Sequence, residues 1–246
     1  MNPMSPSEVQ RRHYEERAHR HLLPSEGGVY ADNIVAKVWS ALGMQGGHGV
    51  EVGCGAGRFT VPFLARCSKL DAVDLSARQL GVLASELERR GIDRSRYDLH
   101  EADIEHLDGI LPQGAYDFLV GVFILHHLHD PEGTVSKLCR LVRPGGRVAF
   151  LEPNRWNPLF LLQILCCADM TWREERGLYR LGARRLYRLL RDGGLVDCRV
   201  TTAGFFPPQI LNRFDGALRF EHRLEQWRLL RPVLPFQIVS GSVPTT

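Results

Sequence analysis

The chain has no large excess of charge of either sign, no metal-type CxxC pair and no apolar run long enough to cross a bilayer. Each absence excludes something. A formal net charge of +3 over 246 residues, without a basic tract interleaved with aromatics, argues against a nucleic-acid partner. The apolar run Pro158 to Ala168 falls short of the ~20 residues that a spanning helix takes, so peripheral contact is the membrane association it permits. Cys54, Cys67, Cys139, Cys166, Cys167 and Cys198 lie mostly inside apolar segments. The adjacent Cys166 and Cys167 would leave one helix in different directions, which suits no shared metal. With no secretory signal at the start, the six read as buried thiols of a cytoplasmic protein, and no metal is expected.

The composition supplies one large core: 44% of the residues are hydrophobic, ample for a single α/β domain of this length. The run Val50-Glu51-Val52-Gly53-Cys54-Gly55-Ala56-Gly57-Arg58-Phe59-Thr60 joins a short apolar strand to a glycine-rich turn and then to a helix expected over Arg58 to Cys67. Three glycines at alternate positions remove every β-carbon where the backbone must turn sharply and approach a ligand, and the helix points free amides at that ligand. Such a turn also opens dinucleotide-binding folds, so its surroundings decide its meaning. A second strand, Leu70 to Ser76, carries Asp74 near its carboxyl end, where a carboxylate accepts hydrogen bonds from ribose hydroxyls. A third strand, Tyr97 to Glu101, runs into Ala102-Asp103-Ile104. The fourth, from Tyr116, runs through Phe123 into Leu125-His126-His127-Leu128-His129-Asp130-Pro131.

Glu51-x-Gly53-x-Gly55-x-Gly57, Asp74, Ala102-Asp103, the LHHL segment and Arg143-Pro144-Gly145-Gly146 together resemble class I S-adenosylmethionine-dependent methyltransferases, over about Gly46 to Val200. The small-molecule group of types 11 and 12, which includes quinone-biosynthesis enzymes, is the most similar. The resemblance implies that S-adenosylmethionine binds and leaves as S-adenosylhomocysteine. It places Gly53, Gly55 and Gly57 beside the methionine part, Asp74 on the ribose and Asp103 on the adenine amino group, with Leu75 and Ile104 on the ring faces. Glu51, an acid directly before the turn, follows the methyltransferase habit, and Phe123 completes the expected cofactor set. The acceptor is expected to be small and partly apolar: a hydroxyl or activated carbon of a lipid, quinone precursor, glycan precursor or secondary metabolite.

Methyl transfer from a sulfonium is an in-line displacement with a good leaving group already supplied, so the protein mainly positions the reactants and excludes water. A hydroxyl acceptor must also lose its proton, work suited to histidine near neutrality. His126 is the first choice for this base and His127 the second; for either, a structural role in holding the loop is the competing reading. Glu152, Asn154 and Arg155 are further candidates for orienting a polar acceptor. Three other functions compete. A nicotinamide oxidoreductase would share the turn and Asp74 but not Ala102-Asp103 or LHHL. A nucleic-acid methyltransferase would carry an Asn/Asp-Pro-Pro-aromatic clamp or a Pro-Cys nucleophile, neither of which follows the fourth strand. A non-catalytic cofactor-binding subunit would keep every motif.

Alternating strand and helix patterns predict an α/β, doubly wound, mostly parallel seven-stranded sheet with helical lid insertions, its ligands outside the carboxyl ends of the strands. Residues 1–45 read as a helical arm or lid, including Ser7 to Leu22, Tyr14, Tyr30 and a helix over Asp32 to Leu42 with an acidic first turn. Residues 46–246 read as the methyltransferase domain, interrupted at 153–182 and 203–232. Helices are expected over Ala77 to Arg90, Pro131 to Leu141 and Leu181 to Arg191, and later strands over Gly145 to Leu151, Leu195 to Thr201 and Phe236 to Ser240. Trp156, Leu159, Phe160, Leu161, Leu162, Ile164 and Leu165, with Phe205, Phe206 and Phe214, are candidates for an acceptor pocket or for lid packing. The arginines from Arg176 to Arg191 read as a solvated helix face or an anionic-substrate patch.

Overall fold

Short segments rich in apolar residues become the strands of a single sheet in the computed structural model, which describes residues 28–107, 109–158 and 180–245. The elements are α1 (Gly28–Leu42), β1 (His48–Val52), α2 (Thr60–Leu64), β2 (Lys69–Asp74), α3 (Ala77–Arg89), β3 (Tyr97–Glu101) and β4 (Tyr116–Val122). They continue as α4 (Pro131–Cys139), β5 (Val142–Pro153), α5 (Ala183–Asp192), β6 (Val196–Ala203), α6 (Pro208–Leu211), α7 (Ala217–Gln226) and β7 (Phe236–Ser242). The strand order is β3-β2-β1-β4-β5-β7-β6. β1 to β5 pair in parallel, while β7 runs antiparallel to both β5 and β6. This is the expected doubly wound, mostly parallel sheet.

Each face of the sheet carries its own apolar cluster. On one lie Phe118, Val120, Ala149 and Leu151 with the helical Ile34, Val35, Val38 and Leu42. On the other lie Val50, Val52, Leu119, Val148 and Phe150 with Leu186, Leu189 and Leu190 of α5. The four α1 side chains are at most 1% exposed, and burying each contributes about 1.5–3 kcal/mol. Close packing also explains Gly49, since a β-carbon there would overlap the ring of Phe118.

Helix ends follow local chemistry. Ser76 caps α3 by accepting the Gln79 amide, and Asp130 caps α4 by accepting the Gly133 amide, with Pro131 in the first turn. Gly91 follows α3 with φ +65°. Two expectations need correction. α1 starts at Gly28, so Asp32 falls in its second turn and the first turn holds no acid. α2 spans only Thr60–Leu64, half the expected helix, and Arg66 and Cys67 turn back to bond Phe63. Ser7 to Leu22, Tyr14, Leu159 to Leu165, Cys166, Cys167 and Arg176 lie outside the described residues. Among those described, no helix is long and apolar enough to cross a membrane, and no His, Cys, Asp or Glu cluster could hold a metal.

On β2, the buried carboxylate of Asp71 accepts three side-chain hydrogen bonds: His48 Nε2 at 2.8 Å, His100 Nε2 at 3.2 Å and the Tyr116 hydroxyl at 2.8 Å. Burial, then the hydroxyl's bond to Asp71, drives the pKa of Tyr116 upward, so the phenol stays a donor. Removing one donor from a buried charged acceptor costs about 1.5–3 kcal/mol. Tyr116→Phe is therefore expected to lower unfolding free energy by that amount in urea titrations with an unchanged slope.

Candidate active site

The glycine turn is strained everywhere a side chain would matter: Gly53, Gly55 and Gly57 hold φ of +72°, +52° and +89°. Two of the three also face protein. A β-carbon on Gly53 would lie 2.5 Å from Ile124, and one on Gly57 would overlap Leu83. At Gly55 nothing stands within 4 Å, so this glycine marks the open side of the turn.

Asp74 locks the turn. Its Oδ2 accepts the Gly55 amide at 2.7 Å and its Oδ1 the Ser76 amide at 2.9 Å. Burial raises its pKa while the Ser76 and Gly55 amides pull it back. The Ala102 amide donates to the Asp74 carbonyl at 3.0 Å, joining the β2 and β3 loops. Asp103, next in sequence, caps a 3-10 turn by accepting the Glu105 amide at 2.9 Å and meets His106 Nδ1 at 3.1 Å. Leu75 is half-buried, and Ile104 packs in the core cluster with Val73 and Ala102. The residues expected to bind adenosine are thus neighbours along the carboxyl ends of β1, β2 and β3.

Glu51 is 2% exposed, and its Oε2 has no hydrogen-bond partner among the described residues. Burial, with the nearby Asp74 adding to it, pushes its pKa up to about 8. Between its ordinary value of 4.5 and about 8, the folded state therefore holds a proton that the unfolded chain has released.

The β4 exit is held by one carboxylate. Glu152, 1% exposed near the end of β5, accepts the Ile124 amide at 2.9 Å, the Leu125 amide at 2.7 Å and His126 Nδ1 at 2.5 Å. His126 is buried with its ring 3.9 Å from that of His127, which is half-buried, whereas His129 is exposed. Asn154 uses its amide hydrogens on the carbonyls of Pro232 and Leu234, and so braces the loop before β7. Arg155 lies over the Trp156 ring.

Phe123 has φ +58°, unusual for a non-glycine residue, and its amide donates to Leu151. The twist places its ring in an aromatic row missed by the sequence reading: Phe59 at 6.0 Å on one side, Phe236 at 5.3 Å on the other, then Tyr30 at 6.5 Å from Phe236. Phe236 reaches this rim because β7 is antiparallel and begins where the other strands end. Arg58 lies over the Tyr30 ring at 4.8 Å, and burial pushes the Tyr30 phenol up to about 12. Phe205 and Phe206 turn around Glu221, which accepts both of their amides, while Trp156 and Phe214 are exposed.

Comparison with known proteins settles the family. Residues 50–150 match the model of a methyltransferase domain. The ubiquinone biosynthesis O-methyltransferase of Aromatoleum aromaticum is 32% identical over 169 residues, which is 67% of this chain and 70% of that protein. The chain belongs to the class I S-adenosylmethionine-dependent methyltransferases. It is an enzyme of that family, with S-adenosylmethionine as cofactor. The enzyme of the same name from Azoarcus sp. is 27% identical and spans 77% of this chain and 82% of its own. Among solved structures, the geranyl diphosphate C-methyltransferase of Streptomyces coelicolor A3(2) has a TM-score of 0.67 at 16% identity, covering 98% of this chain and 99% of its own. That likeness shows the fold alone, which the [4+2]-cyclase SpnF also shares (TM-score 0.62, 18% identity, covering 87% of this chain and 81% of its own).

The residues present suit that cofactor. The turn is open at Gly55 alone, and Asp74 keeps a carboxylate at the rim beside it. Asp74→Ala is expected to weaken S-adenosylmethionine binding by about 1–3 kcal/mol in calorimetric titration, through loss of a charge-assisted contact; an unchanged affinity would remove Asp74 from the site. For Glu51, the raised pKa means that stability falls as pH rises from about 4.5 to about 8. Glu51→Gln should remove up to about 1.4 kcal/mol per pH unit from that slope in urea unfolding across the window.

Proposed function

We propose that the enzyme methylates a hydroxyl on a small, partly apolar acceptor, with His126 as general base and Glu152 as the carboxylate that orients it. The observation carrying this reading is the buried Glu152–His126 contact at the exit of β4, in a loop whose Ile124 packs on Gly53 of the cofactor turn. Relatives named as O-methyltransferases of ubiquinone biosynthesis support the hydroxyl and a quinone-precursor-like acceptor. Free, mostly buried thiols among the described residues suit the reducing cytoplasm, and nothing in the modest net charge favours nucleic acid.

The cofactor, when bound, supplies an electrophilic methyl group on a good leaving group. Gly53, Gly55 and Gly57 would let the backbone approach it, Asp74 and Asp103 would hold its ribose and adenine, Leu75 and Ile104 would pack on the adenine, and Phe123 would complete the set. Glu152 accepts from Nδ1 of His126 and so leaves Nε2 as the basic nitrogen. Nε2 would take the acceptor hydroxyl's proton as the oxygen is methylated. The Glu152 carboxylate stabilises the imidazolium that forms. Phe59, Phe123 and Phe236 offer the acceptor an apolar wall that excludes water. His127, stacked on His126, is the alternative base.

Incubation with methyl-labelled S-adenosylmethionine and a panel of alkylated catechols and phenols tests the assignment. His126→Ala is expected to lower kcat about 10²–10⁴-fold with cofactor affinity kept, and less so as pH rises and the acceptor ionises unaided. Full activity in His126→Ala, with the loss transferred to His127→Ala, would move the base by one residue. Label entering protein or nucleic acid in place of the panel would overturn the acceptor class.

A further inference from the structure

Beyond β6 the chain builds α6, α7 and a short 3-10 turn before re-entering the sheet, and this excursion leaves large apolar side chains in water. Phe220 is 54% exposed, Trp227 63% and Leu229 92%. Trp156, 65% exposed at the exit of β5, belongs to the same rim. Asn154 holds Pro232 there, and the Asn157 side-chain amide donates to the Val233 carbonyl at 2.6 Å. Exposed aromatics and leucine gathered on one edge of a folded domain mark a contact surface.

The charges around them are one-sided. Arg223, Arg228 and Arg231 are exposed, and Phe220, Arg223 and Trp227 recur at i, i+3 and i+7, along one stripe. The two acids of α7 are spent inside. Glu221, fully buried, accepts the Phe205 and Phe206 amides and the Asn33 side chain, and Glu225 pairs with Lys37 at 2.6 Å. What α7 and its extension turn outward is therefore cationic and aromatic, although the segment contains both signs of charge.

We propose that this face docks the enzyme on an anionic lipid surface. Tryptophan rings favour the headgroup layer, leucine enters the acyl boundary, and guanidinium groups pair with lipid phosphates. The surface leaves the sheet at the carboxyl ends of β5 and β6, the edge that holds the site. Docking there would present that edge to an acceptor dissolved in the membrane. This purpose rests on the acceptor proposed above, whereas the docking itself does not.

Sedimentation of the full chain with phosphatidylcholine vesicles, with and without phosphatidylglycerol, tests it. The expected result is binding to the anionic vesicles alone, weakened by salt. The doubles Trp227→Ser/Leu229→Ser and Arg228→Glu/Arg231→Glu should each lower partitioning by about tenfold or more, with S-adenosylmethionine affinity kept as the measure of folding. No binding to anionic vesicles, or wild-type binding retained by both double variants, would overturn the proposal. So would a wild-type dimer in light scattering that Leu229→Ser dissolves, because the patch would then cover a second copy. Loss of cofactor binding by the wild type would instead count against the methyltransferase site and leave the docking result standing.

Discussion

The Glu152 carboxylate ties the β4 exit to β5 by collecting two backbone amides and one imidazole nitrogen, and the geometry of the proposed acceptor side follows from that bond set. Taking a carboxylate to 1% exposure is costly unless its lone pairs are used, and here three donors use them. Their positions then limit everything nearby. Ile124 must lie against Gly53, Phe123 must adopt a left-handed backbone, and the Phe123 ring must meet Phe59 and Phe236. The same anchor holds the histidine loop, whose Ile124 lies against Gly53 of the glycine turn.

The cofactor half is built differently, from backbone. Asp74 accepts the amides of Gly55 and Ser76, and Gly53 and Cys54 both donate to the Val73 carbonyl, so β2 braces the turn that leaves β1. A turn with three positive φ values is fixed by its neighbours rather than by its own preferences.

The doubly wound sheet and its glycine turn were legible in the sequence because their signals are local: a strand, three spaced glycines and an acid one βαβ unit later lie within twenty-five residues, Val50 to Asp74. Strand and helix positions came out within a few residues, and the largest errors fell where chain geometry outranks propensity. Pro62 and a short connection cut α2 to a single turn and a half, and α1 extended four residues before Asp32. The rim was harder to read. Phe236 is 113 positions from Phe123, and only the antiparallel entry of β7, which periodicity does not encode, brings them together. The part Glu152 plays in holding the loop could not be read locally, since its three donors come from the loop after β4, more than twenty residues earlier. Likewise, the outward charge of α7 could not be read from its residues, because Glu221 and Glu225 face partners far along the chain.

The antiparallel placement of β7 has a consequence in time as well as in space. β7 leaves the ribosome after the other six strands of this sheet, yet it fills the gap between β5 and β6. Until it emerges, β6 has no neighbour in the sheet and β5 is an open edge whose inner residues include the apolar Phe150 and Leu151, fully buried in the finished fold. The nascent protein therefore carries an unprotected sheet edge until β7 is made, and that strand both completes the rim through Phe236 and closes the surface on which two incomplete chains would otherwise pair.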